Sequence, residues 1–194
     1  MLEKHKDIRS ISIENLNLIL SKNNFPTYRS KKIKNWARKT DVLKFEHMSN
    51  LPNELICFLN DNFVLNKSKI LSTQKSSDNT IKYAIELHDG LVVESVLIPS
   101  NDRITVCVSS QVGCGLDCKF CATSLLKRMR NLEHYEIFDQ IMKLNIEANK
   151  IFNSSITNIV FMGMGEPLLN YKNVVNSISK ITSEFGLGIS NKKI

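Results

Sequence analysis

The sequence has no apolar run long enough to cross a bilayer. Its longest apolar stretches, LVVESVLIP and ITNIVFMGM, are short and interrupted by polar residues. The N-terminal stretch MLEKHKDIRS carries charges where a signal peptide would have its apolar part. We therefore expect a cytoplasmic protein that makes no membrane contact.

A disulfide framework is not expected either. The chain has five cysteines, which would leave one unpaired, and in a reducing cytosol a tight group of cysteines indicates a metal or redox site. Internal repeats and low-complexity segments are not evident. With 194 residues, of which 42% are hydrophobic, the composition is that of a globular protein with one large domain or two small ones.

Acidic residues are scarce in the first part of the chain. Residues 1–75 contain 14 Lys and Arg against 7 Asp and Glu, whereas residues 76–194 contain 12 of each, so the whole net charge of +7 lies in the first part. A basic module beside a neutral one suggests an anionic polymer as partner, most simply a nucleic acid. The alternative to a nucleic-acid partner is that the lysines only form a solvated surface, as the result of a lysine-rich composition.

The chain before residue 70 has apolar residues at helical spacing. The spacing predicts two short helices around a Phe-Pro turn, with Ser12 as the N-cap of the first, and a third helix with Pro52 near its start. We expect Trp36 and Cys57 in the core of this part, Cys57 as an inert buried thiol. These elements define a basic helical domain over residues 1–70.

After residue 70 the pattern changes to strands, first in a hairpin region over residues 71–100 and then in a part over residues 101–194 where strands and helices alternate. The predicted elements are strands near 80–87 and 91–98 on either side of Asp89-Gly90, a strand over RITVCVSS, a helix over about 133–149, a strand near 157–162 and a helix over about 172–184. The alternation predicts an α/β fold with parallel strands, whose site residues follow the carboxyl ends of the strands.

Three cysteines fall within eight positions of the segment SSQVGCGLDCKFCAT: Cys114, Cys118 and Cys121. Structural zinc takes four protein ligands, and no second cysteine pair or histidine pair follows. An iron–sulfur cluster held by three cysteines keeps one iron free for a substrate or cofactor. The CxxxCxxC spacing is the signature of radical S-adenosylmethionine (SAM) enzymes, so it favours a [4Fe-4S] cluster that binds SAM, with zinc as the alternative.

A glycine-rich segment, FMGMGEPLLN, follows the next predicted strand. In this class of barrel the corresponding turn contacts the amino group of SAM, which makes Gly165 and Glu166 candidate cofactor-binding residues. By itself a Gly-x-Gly pair more often only forms a turn. Its position after the three-cysteine loop fits an arrangement in which the two segments bind the two ends of one cofactor molecule.

The sequence resembles the radical-SAM adenine methyltransferases of the RlmN type, which act on 23S ribosomal RNA and transfer RNA, with the C8-methylating Cfr enzymes as nearest relatives. The matching stretches are SSDNTIKYAI, VESVLIP, RITVCVSSQVGCGLDCKFCAT and NIVFMGMGEPLLN, which cover most of residues 76–170. The resemblance implies a small helical RNA-binding domain, a β-hairpin and the first part of a partial (β/α) barrel, truncated before the barrel is complete.

The resemblance also implies a reaction. One SAM methylates a protein cysteine, and a second SAM supplies the radical that activates this methyl group for addition to C2 of adenine. Glu94 is the implied base for the ring proton, and Cys107 is the implied resolving cysteine that releases the product by forming a disulfide. Taken alone, Cys107 is a buried strand cysteine and Glu94 is a solvated acid on an edge hairpin.

The implied partners are 23S rRNA, tRNA and an external electron donor such as flavodoxin or ferredoxin, with the protein as a monomer. No cysteine follows Cys121, so the methyl-carrying cysteine of the family is absent and we expect these 194 residues to be inactive alone. The alternatives are a C8-methylating relative of the Cfr type and a non-catalytic RNA-binding fragment that contains zinc or a cluster.

Overall fold

A computed structural model describes residues 6–183 and 186–194. The chain forms two compact units, one that ends at Lys67 and one that begins at Ser68. Each unit has its own hydrophobic core. Among the described residues, every helix is too short or too polar to span a membrane.

The first unit contains three helices, α1 (Ile13–Lys22), α2 (Arg29–Arg38) and α3 (Asn53–Asn62). The predicted N-cap is confirmed, because the Ser12 side chain accepts a hydrogen bond from the backbone N–H of Asn15 at 3.2 Å. Apolar residues at helical spacing face inward and form the core. Its buried members are Ile8, Leu16, Leu20, Ile33, Ala37, Val42, Phe45, Met48, Leu51, Leu55, Leu59 and Phe63.

Two predictions about this core have different outcomes. Trp36 is half-buried and packs against the core, and its indole N–H donates to Asn50 Oδ1 at 2.6 Å. The prediction of a buried Cys57 is wrong, because its thiol is exposed on α3. The inward positions of that helix are taken by Leu55 and Leu59, which lie on the opposite side of the helix from Cys57.

The second unit is a five-stranded sheet in the order β1-β2-β3-β4-β7, with a separate two-stranded sheet and two long helices. Its elements are β1 (Lys69–Lys75), β2 (Ile81–Glu86), β3 (Val92–Ser100), β4 (Arg103–Cys107), β5 (Gln111–Val112), β6 (Arg130–Asn131), α4 (His134–Phe152), β7 (Asn158–Val160) and α5 (Tyr171–Thr182). The pairings from β1 to β4 are antiparallel, and β4 pairs with β7 in parallel. The predicted α/β class, with a helical part before the sheet, is confirmed.

The hairpin predicted at Asp89-Gly90 joins β2 to β3, and Gly90 has the positive φ of +79° that such a turn requires. It is not an edge hairpin, as the sequence suggested, because β3 lies between β2 and β4 in the sheet. The edge position is occupied by β1, a strand that the sequence pattern did not predict.

The two faces of the sheet differ in polarity. One face carries Val93, Leu97 and Val106, which are fully buried with residues of α4 and α5 in the core of the second unit. Alternation along the strands places Glu94 and Cys107 on the other face. We call this second surface the polar face of the sheet.

Candidate metal centre and active site

Two connecting segments meet at one edge of the sheet. The cysteine loop, residues 113–129, comes after β4, and the glycine turn, residues 163–169, follows β7. Because β4 and β7 are parallel neighbours, their carboxyl ends lie at the same edge. The structure thus places the predicted cluster loop and the predicted SAM-binding turn side by side.

Backbone hydrogen bonds join the glycine turn to residues 108–110, which lie between β4 and the cysteine loop. The N–H of Gly163 donates to the carbonyl of Val108 at 3.1 Å, and the N–H of Ser110 donates to the carbonyl of Met164 at 2.9 Å. The N–H of Met164 donates to the buried hydroxyl of Ser109 at 2.9 Å. A Cβ on Gly163 would lie 2.7 Å from the Val108 carbonyl, so this close approach requires glycine.

The cysteine loop is closed at its base by its own backbone. β5 and β6 pair across it, and Cys114 forms a bridge with Lys127. Gly113 has a φ of +72°, and a Cβ there would lie 2.3 Å from the carbonyl oxygen of Lys127. Only glycine fits this position, which brings Cys114 back toward the far strand of the loop.

The three predicted metal ligands, Cys114, Cys118 and Cys121, are free thiols, each partly exposed. Hydrogen bonds from the backbone and side chain of Thr123 lower the pKa of Cys121, which favours the thiolate that binds metals. The backbone N–H of Leu116 points at the sulfur of Cys114 at 3.5 Å. This donor set of soft sulfurs with N–H groups directed at them fits a thiophilic metal or an iron–sulfur cluster.

The three cysteines do not form a preformed metal site in the structure. Within the described residues, no group of three His, Cys, Asp or Glu side chains lies close enough together to hold a metal ion. His134, the nearest histidine in sequence, is buried at the start of α4 against the ring of Tyr135.

Two buried amide side chains hold the ends of the cysteine loop. Gln140 of α4 accepts from the N–H of Ser109 at 3.0 Å and donates to its carbonyl at 3.2 Å. Asn170 donates to the carbonyls of Ser110 at 2.8 Å and Leu132 at 2.7 Å, so it ties the segment before the loop to the segment after it. Sequence reasoning missed both residues; the only signal was a polar residue within an apolar helical pattern.

An ion cluster fixes the far end of the loop. Arg130 of β6 makes a bidentate contact with Glu136 of α4, at 2.7 and 2.9 Å, and its Nε donates to Asp89 in the β2–β3 turn at 2.7 Å. The Glu136 side chain is 3% exposed, which makes its pairing with the guanidinium important for stability. His88 lies 3.4 Å from the same carboxylate.

The glycine turn presents Gly165 and Glu166 beside the loop. Gly165 has a φ of +93°, which favours glycine. The Glu166 carboxylate is half-buried and accepts from the backbone N–H of Leu168 at 3.0 Å. Between the two segments, Ser110 carries a buried hydroxyl oxygen that has no hydrogen-bond partner within the described residues, an atom that a polar ligand group could satisfy.

Cys107 and Glu94 share the polar face of the sheet, next to the cysteine loop. Val96 pairs with Cys107 across the β3–β4 ladder, so Glu94, two residues away along β3, is a diagonal neighbour of Cys107 on the same face. Cys107 is only 8% exposed. Burial raises the pKa of its thiol, and a hydrogen bond with the Met162 backbone opposes this only in part.

Glu94 does not lie in a dry pocket, as its implied role suggested. Its side chain is 49% exposed and forms an ion pair with Lys82 of β2 at 3.0 Å. The carboxylate is therefore solvated and paired within the described chain. Its position on the same face as Cys107 nevertheless places both candidate catalytic residues on one surface.

Comparisons with known proteins agree with the α/β fold and the predicted three-cysteine metal site. The family described as a 4Fe-4S single cluster domain matches residues 103–193. A crystal structure of a radical SAM methyltransferase from Sphaerobacter thermophilus superposes with a TM-score of 0.81 at 32% identity, over 97% of this chain and 55% of that one. The fold and the three-cysteine loop therefore define a radical-SAM protein, and the cofactors implied are a 4Fe-4S cluster and SAM.

Curated relatives identify the family more narrowly. The chain is 51% identical over 97% of its length to a probable dual-specificity RNA methyltransferase RlmN of Flavobacterium johnsoniae, and 49% identical over 98% to the protein of the same name in Cytophaga hutchinsonii. It covers 54% and 52% of these relatives, so it spans about half of their length. The chain belongs to the RlmN-type family of radical-SAM RNA methyltransferases, as its sequence predicted.

Proposed function

We propose that this chain is part of an enzyme that methylates C2 of adenine in 23S rRNA and tRNA through a methyl-cysteine on the protein. The observation that supports this most is that the segments following the parallel strands β4 and β7 leave the same edge of the sheet, where residues 108–111, which lead into the cysteine loop, are hydrogen-bonded to the glycine turn. Bound there, the cluster and SAM would supply the reducing electron, the methyl group and the organic radical. Cys114, Cys118 and Cys121 would hold the cluster through their thiolates.

Gly165 and Glu166 would bind the amino group of SAM. The carbonyl groups of the turn and the half-buried Glu166 carboxylate would offer hydrogen-bond acceptors for an ammonium group. The unpaired hydroxyl of Ser110 provides a further polar contact at the same place. These groups would orient the cofactor without taking part in bond breaking.

Glu94 and Cys107 would act after the methylene carbon has joined the adenine ring. Glu94 would accept the proton that leaves C2, and the unpaired electron left on the adduct by radical addition would return to the cluster, so that a closed-shell adduct remains. The Cys107 thiolate would then attack the sulfur of the methyl-carrying cysteine, so that an S–S bond forms as the S–C bond breaks. The electron pair of that bond stays on the methylene carbon, which takes a proton and becomes the methyl group of the product.

The 194 residues should bind the cluster but should not turn over by themselves. No cysteine follows Cys121 in the sequence, so the methyl-carrying thiol would have to be supplied by other residues of the enzyme. We also expect an external electron donor, such as flavodoxin or ferredoxin, a monomeric state and a cytoplasmic location.

The RNA partner would be bound by the basic face of α2. Lys32 lies 5.4 Å from the ring centre of the exposed Tyr28, and Lys39 lies 4.0 Å above the Trp36 ring. Lysines beside partly exposed aromatic rings can contact phosphates while the rings stack on unpaired bases. Lys31 on the same helix is exposed and adds to the positive charge.

Anaerobic reconstitution tests the cluster. The chain should take up iron and acid-labile sulfide and turn brown, and Cys118→Ala should lose most of this iron. Cys57→Ala is the matched control, because Cys57 is also a free, exposed thiol but lies outside the loop. Stoichiometric zinc without sulfide would instead support a zinc-stabilised RNA-binding protein.

The RNA contact is tested by salt dependence. Each phosphate contact that is lost should reduce the slope of log affinity against log salt by about 0.7 to 0.9. The double variant Lys31→Gln/Lys32→Gln should therefore show weaker binding to a tRNA transcript and a shallower slope. Lys150→Gln, at an exposed lysine of α4, should behave like the wild type, and equal slopes in all three proteins would contradict the assignment.

A further inference from the structure

The side chain of Gln111 joins the glycine turn to the strands β5 and β6 that flank the cysteine loop. Its Oε1 accepts a hydrogen bond from the backbone N–H of Glu166 at 3.0 Å, and its Nε2 donates to Oδ1 of Asn131 at 2.7 Å. Gln111 is fully buried, so neither bond can be replaced by one to water. One amide group thus joins β5, β6 and the glycine turn.

Asn131 extends this connection to the far end of the glycine turn. It lies opposite Gln111 in the β5–β6 pair, and its Nδ2 donates to the carbonyl of Leu169 at 3.2 Å. The residues from Glu166 to Leu169 are therefore held at both ends by two amide side chains. Both side chains belong to the strands that carry the cysteine loop.

Packing reinforces the hydrogen bonds. A Cβ placed on Gly165 would lie 2.5 Å from Cβ of Gln111 and 2.8 Å from its backbone nitrogen. The glycine backbone consequently rests directly on the glutamine. A shift of Gln111 would move the Gly165–Glu166 peptide by contact as well as through its hydrogen bond.

We propose that Gln111 is a positioning residue that couples the strands flanking the cysteine loop to the glycine turn, so that binding of a cluster by the loop orders the Gly165–Glu166 peptide. The inference rests on the proposed function, because it requires the three cysteines to hold a cluster. Loading of the cluster would then prepare the turn that would receive the amino group of SAM.

Hydrogen–deuterium exchange of the 194-residue chain, measured without SAM before and after anaerobic loading of the cluster, tests this coupling. In the wild type, loading should slow exchange of the Glu166 amide about fivefold to tenfold, a change of the size that one buried hydrogen bond supports. Gln111→Leu keeps a similar volume and removes both hydrogen bonds. In this variant, loading should slow exchange in the cysteine loop but should leave the Glu166 amide unchanged.

Asn145→Leu is the control. Asn145 of α4 is also an amide residue, but its side-chain oxygen accepts from the backbone N–H of Ile156 at 3.0 Å, away from the cysteine loop and the glycine turn. The slowing at Glu166 should persist in this variant. If Gln111→Leu does not take up iron, Asn131→Ala provides the test instead. This substitution removes the hydrogen-bond partner of Gln111 at a less buried position. It should also abolish the slowing of exchange at Glu166.

Two results would overturn the coupling: equal slowing at Glu166 in the wild type and in Gln111→Leu, or no slowing in the wild type after it has taken up iron. A wild-type chain that takes up neither iron nor sulfide would overturn the proposed function itself, and the coupling with it. Metal and sulfide analysis of each sample separates these failures.

Discussion

Cys107 is a buried thiol whose proposed role requires it to become a thiolate. Burial raises the pKa of Cys107, so near neutral pH only a small fraction of the side chain is ionised. Attack on a neighbouring sulfur should therefore be slow at neutral pH and should become faster as the pH rises toward this raised pKa.

In a full-length enzyme that contains this chain, Cys107→Ala should trap a covalent protein–RNA adduct, because carbon–carbon bond formation precedes the step that needs this thiol. The adduct should run above the free protein on a denaturing gel and disappear with nuclease. In the wild type, release of the adduct should accelerate about tenfold per pH unit between pH 7 and 9. Normal turnover by Cys107→Ala would show that this cysteine is only a core residue.

Lys34 is a second buried ionisable residue, in the first unit. Its Nζ donates to the carbonyl oxygens of Ile8, at 2.8 Å, and Ile11. Burial lowers the pKa of Lys34 to about 8, although the nearby Asp7 carboxylate acts in the opposite direction. The folded chain therefore releases this proton at a lower pH than the unfolded chain.

Because the unfolded state binds more protons above about pH 8, the Lys34 contribution to the free energy of unfolding should rise with pH. Relative to Lys34→Met, the wild type should gain stability between pH 8 and 10, by at most about 3 kcal/mol. Urea unfolding followed by the fluorescence of Trp36, the single tryptophan, measures this difference. A difference that does not change with pH would mean that Lys34 titrates normally.

Helices and strands whose apolar residues recur at regular spacing were predictable from the sequence, and elements without such a pattern were not. The amphipathic helices and the two half-buried strands β2 and β3 lie within a few residues of their predicted positions. The strand β1 was missed because it is an edge strand with almost all side chains exposed, so its sequence, KILSTQK, has no buried face to reveal it. Cys57 was misplaced because a small apolar residue does not show which side of a helix it occupies.

The residues of the candidate site were predictable only where the chemistry requires a recognisable sequence motif. Three cysteines at fixed spacing and a Gly-Glu pair can be found in the sequence, and the structure places them at one edge of the sheet. Gln111, Gln140 and Asn170 could not be found, because each of them bonds to backbone or side-chain groups that lie 20 to 60 residues away along the chain. Buried polar contacts of this kind depend on the tertiary fold, not on local pattern.

The link between β6, α4 and the β2–β3 turn depends on Arg130. Arg130→Met should leave the Glu136 carboxylate buried without its main partner and lower the stability of the second unit by about 2 to 3 kcal/mol. Iron uptake should fall as well, because the end of the cysteine loop is no longer held. Thermal unfolding followed by circular dichroism, with iron analysis, measures both effects.

Lys150→Met removes an exposed ion pair with Glu147 on the same helix α4 and serves as the control. It should change stability by less than about 1 kcal/mol and leave iron uptake intact. Equal effects of the two substitutions would mean that the Arg130 contacts contribute no more than a surface ion pair.

At the scale of the whole molecule, charge and chemistry are divided between two units. Residues 1–67 contain 12 Lys and Arg against 7 Asp and Glu, so +5 of the net charge of +7 lies in the first unit, whereas the three-cysteine loop and the glycine turn lie in the unit that begins at Ser68. Each unit buries its own set of apolar side chains. This division indicates that the proposed RNA binding and the proposed cluster binding would be carried by parts that are stabilised separately.

Matched core substitutions test this independence. Leu55 of α3 and Ile141 of α4 are both fully buried, each in a different core, so replacing either by alanine should cost about 2 to 5 kcal/mol in its own unit. Leu55→Ala should lower the urea midpoint seen by Trp36 fluorescence and weaken binding to RNA, while iron uptake stays at the wild-type level. Ile141→Ala should reduce iron uptake and leave the Trp36 transition in place. If either substitution shifts both readouts together, the two cores unfold as one, and the basic helices cannot be treated as a separate RNA-binding part.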